Sequence, residues 1–236
     1  MLFFFANHFM TSIRKKNKDL KQQSIFNFQL FYHYSQTKVL SYIQTNWIEI
    51  AGTILSLIYL YLSVKQRASL WIFGFICSVL YVVVYFQSKF YADMTLQFYY
   101  AFISIYGWIK WRRGKEKTGR ELLVRHTPKN LIVYLIGAST LIFFLYYFVL
   151  IKTDDPFPIG DSLTTALSIV ATWMLARKYI EYWLVFIFVD AVSAGLYFHK
   201  GLYPTTILFV VYTIMAVVGY FQWKKSLTQD VVSNKE

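Results

Sequence analysis

Seven long apolar stretches, separated by short polar or charged segments, dominate the pattern of the chain. A helix needs about 20 predominantly apolar residues to cross the hydrocarbon core of a bilayer. Each stretch meets or approaches that length, so the pattern predicts an all-α integral membrane protein. The predicted spans are Trp47–Val64, Ser69–Gln87, Tyr91–Trp111, Leu131–Ile151, Asp161–Ala176, Ile180–Phe198 and Leu202–Trp223.

An internal repeat appears at a constant offset of 112 residues, where LWIFGFICSVLYVVVYF aligns with YWLVFIFVDAVSAGLYF. At this offset Trp71 matches Trp183, and Trp111 matches Trp223. Each repeat holds three spans, so the fourth span must return the chain across the bilayer and give both repeats the same orientation. The sequence therefore predicts a seven-span core of 3+1+3 helices, with a two-fold axis along the membrane normal and a substrate cavity between the halves.

The repeat divides the chain into predicted segments. They are an amino-terminal extension (1–45), a first three-helix repeat (46–113), a basic cytoplasmic loop (114–130), a connecting helix (131–151), a second three-helix repeat (152–225) and a cytoplasmic tail (226–236). The extension carries IRKKNKDLK, and its place is open between an interfacial helix, a further span and a stretch translated from an upstream start.

Composition and charge agree with a membrane protein and restrict its chemistry. The chain is 57% hydrophobic and 21% aromatic, with a formal net charge of +12. The basic residues lie between the apolar blocks, so we interpret them as a topology signal that places the carboxyl terminus in the cytoplasm, and we do not expect nucleic-acid binding. No phosphate loop, catalytic constellation or metal-ligand spacing occurs, so neither an enzyme nor a cofactor is predicted.

Asp190 lies in the middle of an apolar span, where a carboxylate costs about 2.5 to 3.5 kcal/mol on insertion scales. Trp183 and Phe186 precede it at helical spacing and share its face. Aromatic rings and a carboxylate together suit a flat cationic ring. The alternative is that Asp190 makes a structural contact with a neighbouring helix.

A second polar face is predicted on the third span, where Gln97, Tyr100 and Ser104 follow one another at helical spacing. These groups could bind a substrate, or they could bond neighbouring helices, as intramembrane amides and hydroxyls often do. Thr172 in the fifth span is a weaker candidate of the same kind.

The sequence resembles the Pnu family of vitamin transporters, whose best-known branch carries nicotinamide riboside. The resemblance rests on YGWIKW (Tyr106–Trp111), ATWMLARKYIEYWLVFIFVD (Ala171–Asp190) and KGLYPTTILFVVYTIMAVVGYFQWKK (Lys200–Lys225). It implies an architecture related to the SWEET sugar transporters and a tendency to form homotrimers. It also implies facilitated diffusion across the inner membrane, made one-way by a cytoplasmic kinase that phosphorylates the vitamin.

The family's substrate motif in the sixth core helix is Trp-x-x-Trp-x-x-x-Asn or Asp. Trp183 and Asp190 match this motif, whereas Phe186 stands in place of the second Trp. The resemblance therefore implies transport of nicotinamide riboside, with thiamine as the alternative vitamin. A non-transporting receptor or assembly subunit is the competing class of function.

Overall fold

The computed structural model describes residues 50–87, 91–118, 123–153 and 155–233, together with Ser41 and Trp47. Most of the predicted amino-terminal extension therefore lies outside the described residues. The described ranges fold into helices with no strand, which confirms the prediction of an all-α chain. The helices are α1 (Ile50–Val64), α2 (Leu70–Gln87), α3 (Tyr91–Thr118), α4 (Lys129–Leu150), α5 (Pro158–Ala176), α6 (Tyr182–His199) and α7 (Tyr203–Ser233).

Each predicted span corresponds to one of these helices, but only α2, α4, α5, α6 and the part Tyr203–Thr228 of α7 are both long and apolar enough to cross a membrane. Helix α1 is apolar and shorter. Helix α3 continues past its apolar part to Thr118, through residues that the sequence had assigned to the basic loop. Arg and Lys are good helix formers, so a helix can continue past the point where its apolar stretch ends.

The lateral surface of the bundle is apolar. Helix α4 has no buried residue, and the exposed fractions of Val133 and Tyr134 reach 70% and 72%. Large apolar surfaces of this kind are unfavourable in water and suit contact with lipid or with another protein. The chain is therefore a multi-pass membrane protein.

The two halves repeat the same contact between a tryptophan and a glycine. A Cβ atom added to Gly107 on α3 would lie 2.3 Å from the Trp71 ring, and one added to Gly219 on α7 would lie 2.4 Å from the Trp183 ring. Each glycine thus lets an indole lie directly on a helix backbone. Since the positions differ by 112 residues, α2 packs on α3 in the same way as α6 packs on α7.

Repeat-related residues also meet each other at one end of the bundle. Gln66 lies in the turn after α1 and Lys178 in the turn after α5, and their φ angles are both positive, at 55° and 53°. The Lys178 Nζ lies 3.2 Å from the Gln66 Oε1. Nearby, the Trp111 indole donates to the carbonyl of Ala176 at 3.1 Å, while its partner in the repeat, Trp223, donates to a carbonyl of α1 at 3.0 Å. The two rings pack 6.3 Å apart. Aromatic side chains and a buried lysine therefore fill the space between the halves at this end.

Candidate functional site

A cavity of about 1110 Å³ lies among the helices and receives side chains from all seven of them, with α2 contributing Tyr85. Its lining follows α6 from Tyr182 to the residue after the helix, Lys200. At 1.5 Å per residue this is a length of about 27 Å, comparable to the hydrocarbon thickness of a bilayer.

Five of the seven predicted site residues line this cavity. They are Trp183, Phe186 and Asp190 on α6 and Gln97 and Tyr100 on α3. The face predicted from the spacing on α6 is therefore directed to a cavity that could hold a small molecule, and the polar residues of α3 share it.

Asp190 is the central charged group of the site. Its exposed fraction is only 6%, and its carboxylate makes no hydrogen bond or ion pair with any residue that the structure describes. The Gln97 amide likewise has no partner among those residues. A buried carboxylate without a partner is costly, so the geometry favours a ligand for Asp190 over a structural contact with a neighbouring helix.

Ser104 and Thr172 do not line the cavity. The Ser104 hydroxyl donates to the carbonyl of Tyr100 at 2.7 Å, and the Thr172 hydroxyl donates to the carbonyl of Ser168 at 2.7 Å. Both hydroxyls are thus satisfied by the preceding turn of their own helix, which is common for Ser and Thr in apolar surroundings. The structure does not bring these two residues to the candidate site.

Trp183 contributes to packing as well as to the lining. Its exposed fraction is 1%, its ring lies against Gly219, and the Tyr182 and Trp223 rings pack on it at 4.4 Å and 5.8 Å. The indole is almost fully enclosed, so the partly buried Phe186 offers a larger free aromatic surface than Trp183 does.

Two tyrosines of the lining face serines on the opposite half. Tyr212 on α7 is hydrogen-bonded to Ser56 on α1, and Tyr100 on α3 lies close to the side chain of Ser168 on α5. The second pair matches the first at the offset of 112 residues. The sequence repeat contained this signal, because both serines and both tyrosines align, but neither serine was predicted as a site residue.

One end of the cavity carries an ion-pair cluster that the sequence did not predict. The Lys200 Nζ lies 2.6 Å from the Asp161 carboxylate and 3.3 Å from the Asp155 carboxylate. Burial raises the pKa of Asp155, but the Phe157 N–H and the Lys200 ammonium outweigh it and bring that pKa below its ordinary value. Burial lowers the pKa of Lys200, but the two carboxylates outweigh it and raise that pKa. Asp161, the first residue of the predicted fifth span, therefore has an ion-pair partner.

A bundle of apolar helices around a long, partly polar cavity is typical of multi-pass membrane transporters. The model of the family described as nicotinamide mononucleotide transporter matches residues 46–225, and the chain belongs to this family. This confirms the resemblance to the Pnu family and the prediction that the protein is a transporter and not an enzyme.

Relatives and a solved structure agree with this assignment. The chain is 28% identical over 206 residues to the nicotinamide riboside transporter PnuC of Escherichia coli strain K12, covering 77% of this chain and 86% of that protein. It is 25% identical over 186 residues to the riboflavin/roseoflavin transporter RibM of Streptomyces davaonensis, covering 75% and 84%. The crystal structure of the vitamin B3 transporter PnuC superposes with a TM-score of 0.63 at 23% identity, covering 82% and 87%, and shares the fold.

Proposed function

We propose that this protein carries nicotinamide riboside across the cytoplasmic membrane by facilitated diffusion. The observation that supports this proposal is the buried carboxylate of Asp190, which has no partner in the described part of the chain and lies in an aromatic cavity. Nicotinamide riboside combines a flat pyridinium cation with ribose hydroxyls. A cation of this shape would supply the charge that Asp190 lacks and could stack on aromatic rings.

In this proposal the pyridinium ring lies against Phe186 and near Trp183, with Asp190 beside its charge or its ribose hydroxyls. Gln97 and Tyr100 reach the cavity from α3 and would hydrogen-bond the ribose or the carboxamide. The substrate thereby contacts both halves of the bundle.

Trapping by a cytoplasmic kinase follows from the same carboxylate. Phosphorylation adds about 1.5 to 2 negative charges at pH 7. The product would then be repelled by Asp190 and would not re-enter the cavity. Net uptake needs no other energy source in this scheme.

Thiamine is the second candidate, because it also carries a cationic aromatic ring and a hydroxyl group. The feature that favours it is Phe186, which stands in place of the second tryptophan of the family's substrate motif. Phenylalanine retains an aromatic wall but removes an indole donor, and a ring without hydrogen-bonding groups at this position, such as the thiazolium of thiamine, would lose nothing by the replacement.

For the architecture we propose the SWEET-like 3+1+3 arrangement, with α4 as the connecting helix and the segment limits given by the sequence. The matched tryptophan–glycine and tyrosine–serine contacts support two similarly oriented halves. Positive charge at the ends of α3 and α7 supports a cytoplasmic carboxyl terminus. The unburied α4 leaves a surface for a homotrimer contact.

Titration calorimetry of the purified protein with nicotinamide riboside and with thiamine tests the assignment. We expect saturable binding of the riboside and uptake of labelled riboside into vesicles down its concentration gradient. Binding of thiamine alone would transfer the proposal to the second vitamin. Binding without uptake would indicate a receptor or assembly subunit, and absence of binding to either vitamin would refute the proposed function.

A further inference from the structure

The two halves of the cavity differ at positions that the repeat relates to each other. In the carboxyl-terminal half Phe186 on α6 faces the cavity, and the repeat-related residue on α2 is Gly74. In the amino-terminal half Tyr59 on α1 faces the cavity, and the repeat-related residue on α5 is Ala171. Each half therefore has one large aromatic residue and one small residue at these two positions. The aromatic residue is on the first helix of the amino-terminal half but on the second helix of the carboxyl-terminal half.

Tyr59 occupies the space that the absent side chain of Gly74 leaves free. A Cβ atom at Gly74 would lie 2.9 Å from the Tyr59 ring, and this ring packs edge-on against Trp71 at 6.4 Å. In the other half Phe186 packs edge-on against Tyr182, the neighbour of Trp183, at 6.0 Å. Trp183 is the repeat partner of Trp71.

A hydrogen bond between α1 and α6 sets the relative level of the two aromatic residues. The Ser63 hydroxyl lies 2.8 Å from the Tyr182 hydroxyl, at the last turn of α1 and the first turn of α6. Tyr59 lies one turn before Ser63 on α1, and Phe186 lies one turn after Tyr182 on α6. Because residues four apart share a helix face, both rings lie one turn farther along the cavity than this bond. The two rings thus stand at the same level of one cavity.

The next turn reaches the charged level of the site. Ser56 on α1 is bonded to Tyr212, and Tyr212 lies within electrostatic reach of Asp190 on α6. The aromatic level of Tyr59 and Phe186 is therefore adjacent to the carboxylate. The Tyr59 hydroxyl is also free, since it has no hydrogen-bond partner among the described residues.

We propose that Tyr59 is a specificity-determining residue that forms, opposite Phe186, the second wall of the site and holds the planar ring of the substrate next to Asp190. This inference rests on the proposed transport of a cationic aromatic vitamin. The Tyr59 hydroxyl adds a hydrogen bond to a polar substituent of that ring or its sugar.

Calorimetric binding of nicotinamide riboside, or of thiamine if the protein binds only that vitamin, to matched variants tests the role of Tyr59. We expect Tyr59→Phe to weaken binding about 2- to 10-fold through loss of one hydrogen bond. Tyr59→Ala should weaken it at least about tenfold through loss of the ring contact. The double variant Tyr59→Ala/Gly74→Phe copies the arrangement of the other half and should recover binding to within about fivefold of the unmodified protein.

Controls separate this role from a structural one. Gly137→Ala, where an added Cβ meets nothing within 4 Å, should bind as the unmodified protein does. Each variant is checked for its melting temperature and its elution as a single species. If the unmodified protein binds a vitamin and a folded Tyr59→Ala binds it equally well, the inference is refuted while the proposed function stands. Loss of binding in Tyr59→Ala without recovery in the double variant would also refute it, whereas no binding by the unmodified protein refutes the proposed function itself.

Discussion

Replacing Asp190 with asparagine should separate the function of this residue from its effect on stability. The change keeps the shape of the side chain and removes its charge. The exposed fraction of Asp190 is 6%, and its carboxylate has no partner among the described residues. Without a ligand, no described group of opposite charge therefore offsets the cost of burying this carboxylate. A bound cation would provide that compensation. Binding and stability should therefore respond in opposite directions.

The expected magnitudes follow from this environment. A hydrogen bond or ion pair to a charged group contributes about 1.5 to 3 kcal/mol, so Asp190→Asn should weaken binding of the riboside about 10- to 150-fold. Removing the charge also removes part of the penalty for a carboxylate in the membrane. A gain of about 1 kcal/mol would raise the melting temperature of a chain of this size by roughly 2 to 4 °C.

Both quantities can be measured in one detergent, by titration calorimetry and by thermal unfolding without ligand. The reduced, uncharged form of the riboside provides a chemical control, because its affinity should change little in Asp190→Asn. Ser78→Ala provides a matched variant at the repeat-related position, which is buried but outside the cavity lining. Unchanged riboside affinity in Asp190→Asn, or an equal loss for the charged and uncharged ligands, would refute the reasoning.

Two further predictions concern packing and pH. Gly219→Ala should destabilise the protein by about 1 to 3 kcal/mol, because the new Cβ would lie 2.4 Å from the Trp183 ring. The control Gly137→Ala should leave the melting temperature unchanged or slightly higher. Equal melting temperatures for both variants would contradict this account. Burial raises the pKa of Glu181, but hydrogen bonds from the Thr127 hydroxyl and N–H, at 2.7 Å and 2.9 Å, outweigh it and bring that pKa below its ordinary value. Glu181 therefore contributes stability above its unfolded pKa of about 4.3, and this stability is lost as the pH falls through the folded pKa. Between pH 7 and pH 3 the melting temperature of Glu181→Gln should therefore depend less on pH than that of the unmodified protein. Identical pH profiles for the two proteins would contradict this prediction.

The helices and the aromatic face of α6 could be predicted from the sequence because they depend on local pattern. Apolar length predicts a membrane helix, and the spacing of Trp183, Phe186 and Asp190 fixes their common face. The repeat added long-range information, since two matched tryptophans require two similar packing contacts. These predictions needed no knowledge of which helices are neighbours.

The sequence did not show which residues line the cavity where the answer depends on the neighbouring helix. Ser104 and Thr172 have suitable spacing, but a hydroxyl can donate to its own helix as readily as to a ligand, and spacing does not distinguish the two cases. Tyr59 lies in an apolar stretch with other tyrosines, so periodicity alone could not separate a cavity-facing ring from a lipid-facing one. The pair between Asp161 and Lys200 joins positions 39 residues apart, which no local pattern connects.

The distribution of symmetry in the bundle indicates what each region does. Trp111 and Trp223, which pack together at one end, are identical in the two halves, and the Tyr100 and Tyr212 contacts to serine are also matched. A substrate such as a riboside has no two-fold symmetry. A symmetric cavity would therefore offer it two equivalent orientations, and neither orientation would match all of its groups. Among the departures from symmetry, Asp190 stands in place of Ser78, and at the adjacent level of the cavity the large aromatic residue changes helix. Matched tryptophans thus contribute aromatic contacts between the halves, and under the proposed function the unmatched Asp190 would give the ligand a single charged side and hence a single orientation.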